Sequence, residues 1–262
     1  MYAFHPFPPP PPPTNLKPCQ LIHQFQDPND YVSLLCAYLA LLPQALCVVY
    51  ATLIFSTREA EICLAFAGQL ACEALNFLLK RIIKEERPRR IHGKGYGMPS
   101  SHAQFVAFWS VSLALFLLIR HKPRPQQQQQ QHAKSNPSSS SSLSLSSTIN
   151  IWEGGRPWSL AERLAVSLAA ALVAAATAWS RIYLNYHTAT QVAAGVAAGV
   201  VFALVWFVAT DILRRTGWLA WGLELPPAKM LRIRDLVVEE DMCQAGWEKW
   251  EEKKRKKEIK SN

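Results

Sequence analysis

The chain has 262 residues, a formal net charge of +9 at pH 7, and 50% hydrophobic residues. Those hydrophobic residues are concentrated in long blocks, which excludes an ordinary soluble enzyme. Five blocks reach the roughly 20 helical residues needed to cross a hydrocarbon core. They lie at roughly 31–56, 60–83, 101–120, 161–180 and 188–213. The pattern predicts an all-α, polytopic transmembrane helix bundle of about five spans.

The predicted spans divide the chain into five parts. Residues 1–30 are a Pro-rich segment that we expect to be disordered, without a cleavable signal peptide. A Gln/Ser low-complexity loop separates the two membrane regions, and a basic tail follows the second one. The remaining parts are a first transmembrane region at 31–120, the loop at 121–158, a second transmembrane region at 159–215 and the tail at 216–262. The tail suits solvent or a membrane surface better than a nucleic acid, so no nucleic-acid partner is predicted.

Counting the five spans along the chain shows which loops share a face of the membrane, because alternate loops lie on the same side. The loops at 84–100 and 181–187 lie on one face, and the Gln/Ser loop and the tail lie on the other. That second face carries most of the other Lys and Arg residues, so the positive-inside rule assigns it to the cytosol. The first face is then lumenal or exterior.

Two features inside the spans bear on helix packing. Gly195 and Gly199 form a small-residue pair that lets two helix backbones approach closely. Pro43 could break the first span.

The six cysteines show no paired spacing, so neither a disulfide framework nor a zinc site is predicted.

The loop after the second span carries cations that need an explanation. Lys80 and Arg87 are seven residues apart, close to two helical turns, so we expect both on one helix face before Pro88 stops the helix. Ser100 and Ser101 open the third span, where backbone amides and the positive end of a helix favour an anion. The loop therefore predicts an anion site.

The stretch SRIYLNYHTATQV, residues 180–192, places charged groups where the last two spans meet. Ionisable residues at such a position usually face an internal cavity with partners. Arg181 would complete a cationic cradle suited to phosphate. His102 and His187 could divide attack on phosphorus and protonation of the leaving oxygen between them. No metal or other cofactor is predicted, because the cations can neutralise the developing charge.

The segments KRIIKEERP, PSSH and SRIYLNYH resemble the three signature motifs of the type 2 phosphatidic acid phosphatase (PAP2) family. This resemblance covers most of residues 80–190 and implies a PAP2/haloperoxidase-like helical core. It implies that His187 is the nucleophile, forming a phosphohistidine, and that His102 is the general acid. The residues implied to hold the phosphoryl oxygens are Lys80, Arg87, Ser100, Ser101 and Arg181.

The motifs depart from the family pattern at two positions. Ser101 replaces a glycine, and Gln191 replaces the aspartate four residues after His187. The Gln191 amide, one helical turn from His187, could accept the imidazole N–H and orient the nucleophile. PSSH together with YHTATQV resembles the dolichyldiphosphatase branch of the family.

That branch implies a metal-independent hydrolase in the endoplasmic reticulum membrane. Its substrate would be dolichyl diphosphate, a polyisoprenoid diphosphate lipid whose tail stays in the bilayer. Its product would serve protein N-glycosylation. Two alternatives remain open: a broader lipid phosphate phosphatase acting on phosphatidate, and a non-catalytic lipid-binding member, which the missing aspartate suggests.

Overall fold

A computed structural model describes residues 30–88, 95–121 and 158–238, and parts of 246–257. Its helices, in chain order, are α1 (Tyr31–Leu39), α2 (Leu42–Thr57), α3 (Ala60–Ile83), α4 (Ser101–Leu115), a π-helical turn (Phe116–Arg120), α5 (Leu160–Tyr183), α6 (Ala189–Arg215), α7 (Trp218–Glu224) and α8 (Pro226–Met230). The predicted disordered segment at 1–30 and the loop at 121–158 lie almost wholly outside the described residues.

Within the residues that the structure describes, five helical stretches are long and apolar enough to cross a membrane. They are Tyr31–Thr57, Ala60–Ile83, Ser101–Arg120, Leu160–Tyr183 and Ala189–Arg215. Their ends agree with the predicted spans to within about three residues, because the apolar blocks mark the spans directly. The all-α fold is therefore confirmed, and the described part of the chain holds the five candidate spans that the sequence predicted.

The first span is broken between α1 and α2. Pro43 lies in the first turn of α2, where a missing N–H costs no helical hydrogen bond. The break leaves backbone carbonyls at the end of α1 available to side chains. The Ala40 carbonyl faces His102, and the Cys36 carbonyl accepts a hydrogen bond from Arg181. The break thus ties α1 to the ends of α4 and α5.

The chain leaves α3 earlier than the sequence predicted. The helix ends four residues before Arg87, and Lys84 adopts a left-handed conformation with φ 54°. An extended segment follows, in which the Glu85 carbonyl accepts the N–H of Gly97 at 2.7 Å. The prediction that Lys80 and Arg87 share one helix face is therefore wrong, because this loop pairing replaces the last helical turn.

Helices α4 and α6 pack with their backbones in close approach. A Cβ atom on Gly195 would lie 2.6 Å from the Ser100 carbonyl oxygen, and one on Gly199 would overlap the Gln104 carbonyl oxygen. The Ser100 N–H donates to the Gln191 carbonyl at 3.1 Å, which joins the starts of the two helices. The predicted role of the glycine pair in close helix packing is confirmed.

The opposite end of the bundle is held by buried ion pairs. Glu61 bridges Arg120 at 2.6 Å and Arg214, and Arg214 also pairs with Asp235. The fully buried Glu59 accepts hydrogen bonds from the segment after α8. The first part of the predicted tail is therefore docked on the bundle, because buried carboxylates require such partners.

The glycine contact predicts a specific loss of stability. Gly199→Ala should destabilise the protein by about 1–3 kcal/mol, since the new methyl group overlaps the Gln104 carbonyl. Gly222→Ala is the matched control, because a Cβ there meets nothing within 4 Å and alanine favours helix. Thermal unfolding in one detergent compares the two variants. Equal stabilities would show that α6 can move away from α4 at no cost.

Candidate active site

The candidate site lies where α3 and α5 end and where α4 and α6 begin. Thr188 caps α6, and its hydroxyl accepts the Gln191 N–H at 3.2 Å. This capping box fixes Thr188 as the N-cap of α6, so His187 is the last residue of the preceding loop. The local sequence thus places the histidine at the helix start, with Gln191 one turn below it.

His187 and Gln191 are in direct contact. His187 is 6% exposed and its Nδ1 lies 3.1 Å from Gln191 Oε1. Gln191 Nε2 donates to Glu85 Oε1 at 2.8 Å and to the Glu86 carbonyl at 2.9 Å, so the amide oxygen must face the histidine. An amide oxygen can only accept, so Nδ1 carries the imidazole proton and Nε2 keeps a lone pair.

The surroundings of His187 favour its neutral form. Burial lowers the pKa of His187 to about 4. The hydrogen bond to Gln191 and the Gly97 backbone oppose this shift, and the cations Arg87 and Lys80 add to it. The imidazole is therefore neutral at pH 7, the form that a nitrogen nucleophile requires.

His102 is held by the broken first span. Its Nε2 lies 3.1 Å from the Ala40 carbonyl oxygen. A carbonyl only accepts, so Nε2 carries a proton. His102 also lies close enough to His187, Arg181 and Lys80 to interact with them electrostatically. A donor histidine and a neutral acceptor histidine therefore lie in one cluster.

Several polar groups at the site are positioned for an anion. Lys80 Nζ lies 3.4 Å from Ser101 Oγ, and no side chain caps the start of α4. The buried Ser100 Oγ and Arg87 Nε have no hydrogen-bond partner among the residues that the structure describes. The Ser100 amide, which we expected to bind the anion, instead donates to the Gln191 carbonyl. Unpaired buried donors of this kind favour a ligand that accepts hydrogen bonds.

Arg181 is fixed at the side of the cluster. It is 3% exposed, and its guanidinium donates to Ser180 Oγ at 3.1 Å and to the Cys36 carbonyl at 3.2 Å. Its Cζ lies 5.2 Å from the centre of the Tyr186 ring. These contacts hold a positive charge beside the two histidines, at the place that the third motif predicted.

The sequence analysis missed a polar network behind the site. Asn76 donates to Gln104 Oε1 at 2.7 Å, and Gln104 donates to the Cys72 carbonyl at 2.9 Å. Asn76 also reaches the Pro99 carbonyl at 3.5 Å. The signal was the run of polar residues at helical spacing within the apolar α3, namely Gln69, Cys72, Asn76 and Lys80. This network supports the turn that leads into α4.

Glu85 was also missed, because nothing in the local sequence relates it to Gln191.

Within the described residues, no three His, Cys, Asp or Glu side chains are grouped as metal ligands. The arrangement as a whole offers a cationic cradle, a neutral imidazole with a free Nε2 lone pair, and a second imidazole in the same cluster. Its chemistry suits binding and transfer of a phosphoryl group.

Comparison with known proteins agrees with this chemistry. Residues 60–215 match the model of the PAP2 superfamily. The chain belongs to the PAP2 superfamily. The PAP2 match spans α3 to α6 and includes all eight predicted site residues. No solved structure matches the chain.

The relatives are named for one activity. The chain is 55% identical to a Neurospora crassa protein named as a dolichyldiphosphatase, over 92% of this chain and 94% of the relative. It is 41% identical to human dolichyldiphosphatase 1, over 41% of this chain and 47% of the relative. The Saccharomyces cerevisiae dolichyldiphosphatase is 36% identical, over 36% of this chain and 43% of the relative. The human and yeast matches thus each span less than half of those relatives.

The anion cradle predicts a difference between two adjacent cations. Lys80→Ala should weaken binding of orthophosphate about 10-fold or more, the size expected when a charged hydrogen bond is lost. Arg81→Ala should have little effect, because Arg81 is exposed and packs over the Phe77 ring. Thermal stabilisation by added phosphate measures both affinities. Equal weakening in the two variants would argue against a specific cradle.

The His187 environment predicts an unusual titration. Because burial favours the neutral form, the His187 ring should stay neutral as the pH falls through 6.5 and should gain its proton only near pH 4. NMR of ring-labelled histidine in detergent follows this, with His187→Asn identifying the signal. A midpoint near 6.5 would show that water reaches the ring.

Proposed function

We propose that this protein hydrolyses dolichyl diphosphate to dolichyl phosphate and orthophosphate at the lumenal face of the endoplasmic reticulum membrane. The reaction recycles the glycosyl carrier lipid for protein N-glycosylation. The observation that carries this proposal is the 55% identity to a protein named as a dolichyldiphosphatase, which extends over 92% of the chain. The histidine and cation geometry supplies the matching chemistry.

The first step transfers the distal phosphoryl group to the protein. Five residues hold its oxygens by charge and hydrogen bonding, namely Lys80, Arg87, Ser100, Ser101 and Arg181. His187 Nε2 attacks the distal phosphorus in line, so that an N–P bond forms while the bond to the bridging oxygen breaks. With the anionic substrate bound, His102 acts as the imidazolium: its Nδ1 proton passes to that oxygen, its Nε2 proton stays hydrogen-bonded to the Ala40 carbonyl, and dolichyl phosphate leaves.

The second step frees the phosphate. His102, now lacking its proton, accepts one from a water molecule, and the water oxygen attacks the phosphorus. The N–P bond breaks, its electron pair returns to His187, and orthophosphate leaves. The protein is then in its starting protonation state. The cations offset the charge on the phosphoryl oxygens in both steps.

The membrane placement follows from charge. The end of the bundle opposite the site carries many basic residues near the span ends, which favour the cytosol. They include Arg58, Arg120, Arg163, Arg214 and Arg215. The site then opens towards the lumen, while the polyisoprenoid tail stays in lipid. The basic residues at the site end serve the anion instead.

Phosphate release from purified protein in detergent tests the proposal. Wild type, with a chelator present, should release phosphate faster from dolichyl diphosphate than from phosphatidate. His187→Ala should lose at least about 1,000-fold in rate, since it removes the nucleophile. His102→Ala should lose about 100- to 10,000-fold. Acid-labile labelling from distally labelled substrate should appear in wild type and not in His187→Ala.

The other outcomes separate the alternatives. Faster release from phosphatidate would identify a broader lipid phosphate phosphatase. Binding of either lipid without release, and without effect of His187→Ala, would identify a non-catalytic member. Release that the chelator abolishes would contradict the metal-independent mechanism.

A further inference from the structure

The Gln191 amide joins His187 to a carboxylate. Its Oε1 lies 3.1 Å from His187 Nδ1, and its Nε2 lies 2.8 Å from Glu85 Oε1. Gln191 is fully buried, so water does not compete for the atoms of its amide. The three side chains therefore form one hydrogen-bonded line that begins at the histidine and ends at the negative charge of Glu85.

Other groups already fix the direction of the amide. The Glu86 carbonyl accepts from Nε2 at 2.9 Å, and the Thr188 N–H donates to Oε1 at 3.3 Å. A flipped amide would set its oxygen against the two acceptors, Glu85 and Glu86. The Glu85 carboxylate is therefore not needed to orient the amide. What it adds is a full negative charge, the only one in this hydrogen-bonded line.

We propose that Glu85 is a positioning residue whose carboxylate acts through the Gln191 amide to stabilise positive charge on His187 during phosphoryl transfer. This rests on the proposed function. When Nε2 bonds to phosphorus, the ring that still holds a proton on Nδ1 becomes cationic. A charged group at the end of a hydrogen-bond chain polarises each bond along it, so the amide oxygen becomes a stronger acceptor for Nδ1–H.

This arrangement accounts for the unusual glutamine. The family motif carries an aspartate at the position of Gln191, where a spacing of one helical turn would set its charge beside the histidine. Here the negative charge lies one residue further out, on Glu85, which is held in place by the bond between its carbonyl and the Gly97 N–H. Glu85 is partly exposed, so keeping it charged costs less than burying a carboxylate beside His187.

A pair of neighbouring substitutions tests the charge. Glu85→Gln keeps a hydrogen-bond acceptor for Gln191 but removes the charge. It should lower kcat for dolichyl diphosphate about 10-fold, the size expected when a hydrogen bond loses its charged partner, without raising KM. Glu86→Gln removes an equal charge from the adjacent exposed side chain and keeps the backbone carbonyl, so it measures general electrostatics alone. Glu85→Asp, which keeps the charge, should retain more activity than Glu85→Gln.

A swap of the two side chains tests the coupling. Gln191→Glu sets a second carboxylate against Glu85 and should also lower kcat. Adding Glu85→Gln supplies a donor for the new carboxylate and restores a single negative charge. The double variant should therefore be more active than Gln191→Glu alone, whereas independent residues would multiply the two losses.

A measurement that needs no turnover separates this proposal from the proposed function. In NMR spectra, the Nδ1 proton of His187 should move upfield in Glu85→Gln relative to wild type and Glu86→Gln, because the amide becomes a weaker acceptor. If wild type releases no phosphate, the proposed function fails and this shift still decides the role of Glu85. Equal kcat and equal proton shifts in Glu85→Gln and Glu86→Gln would overturn the proposal.

Discussion

The contact between α4 and α6 is the constraint on which the site depends. Gly195 and Gly199 let the α6 backbone lie against the carbonyls of Ser100 and Gln104, and the Ser100 N–H binds the Gln191 carbonyl. A larger residue at either glycine would separate the helix starts. The second motif, on α4, and the third motif, before α6, would then lose their shared position. Close backbone packing of this kind is a normal source of helix association in membranes, where apolar burial gives little driving force.

Burial of the helix starts sets the protonation of the histidines. His187 is kept neutral by desolvation, with Arg87 and Lys80 acting in the same direction. His102 has an Nε2 proton because it faces the Ala40 carbonyl at the break in the first span. The two histidines thus differ in which ring nitrogen carries the proton, Nδ1 in His187 and Nε2 in His102, because they face different acceptors.

Buried polar groups of the bundle form hydrogen-bonded networks. Glu61 and Glu59 bind arginines and backbone amides at the opposite end, and the Asn76–Gln104 network fills the interior of the bundle. Some buried atoms lack partners among the described residues, both away from the site, as at Gln69 Oε1 and Arg120 Nε, and at the site, at Ser100 Oγ and Arg87 Nε. The two at the site are a hydroxyl and a guanidinium N–H, both able to donate to an anion, and leaving such groups unpaired is unfavourable.

Much of the fold could be predicted from sequence because membrane spans are local features. Each span is a continuous apolar block, and the backbone hydrogen bonds of a membrane helix are satisfied within the block itself. The motif residues on the helix starts were also found, since Ser100, His102 and His187 lie beside apolar runs whose ends are visible in the sequence. The contact of Gln191 with His187 follows from a spacing of one helical turn.

What the sequence by itself determined is therefore the set of spans, the order of the motifs and the residues that we propose to bind and transfer phosphate. Only the tertiary structure decided which chain segments carry those residues to the site and which groups support them there. Arg87 arrives on an extended segment rather than on a helix face, because Glu85 pairs with Gly97 in the loop. Glu85 meets Gln191 across 106 residues of sequence. No local spacing encodes such a contact, since it exists only once the ends of α3 and α6 are packed together.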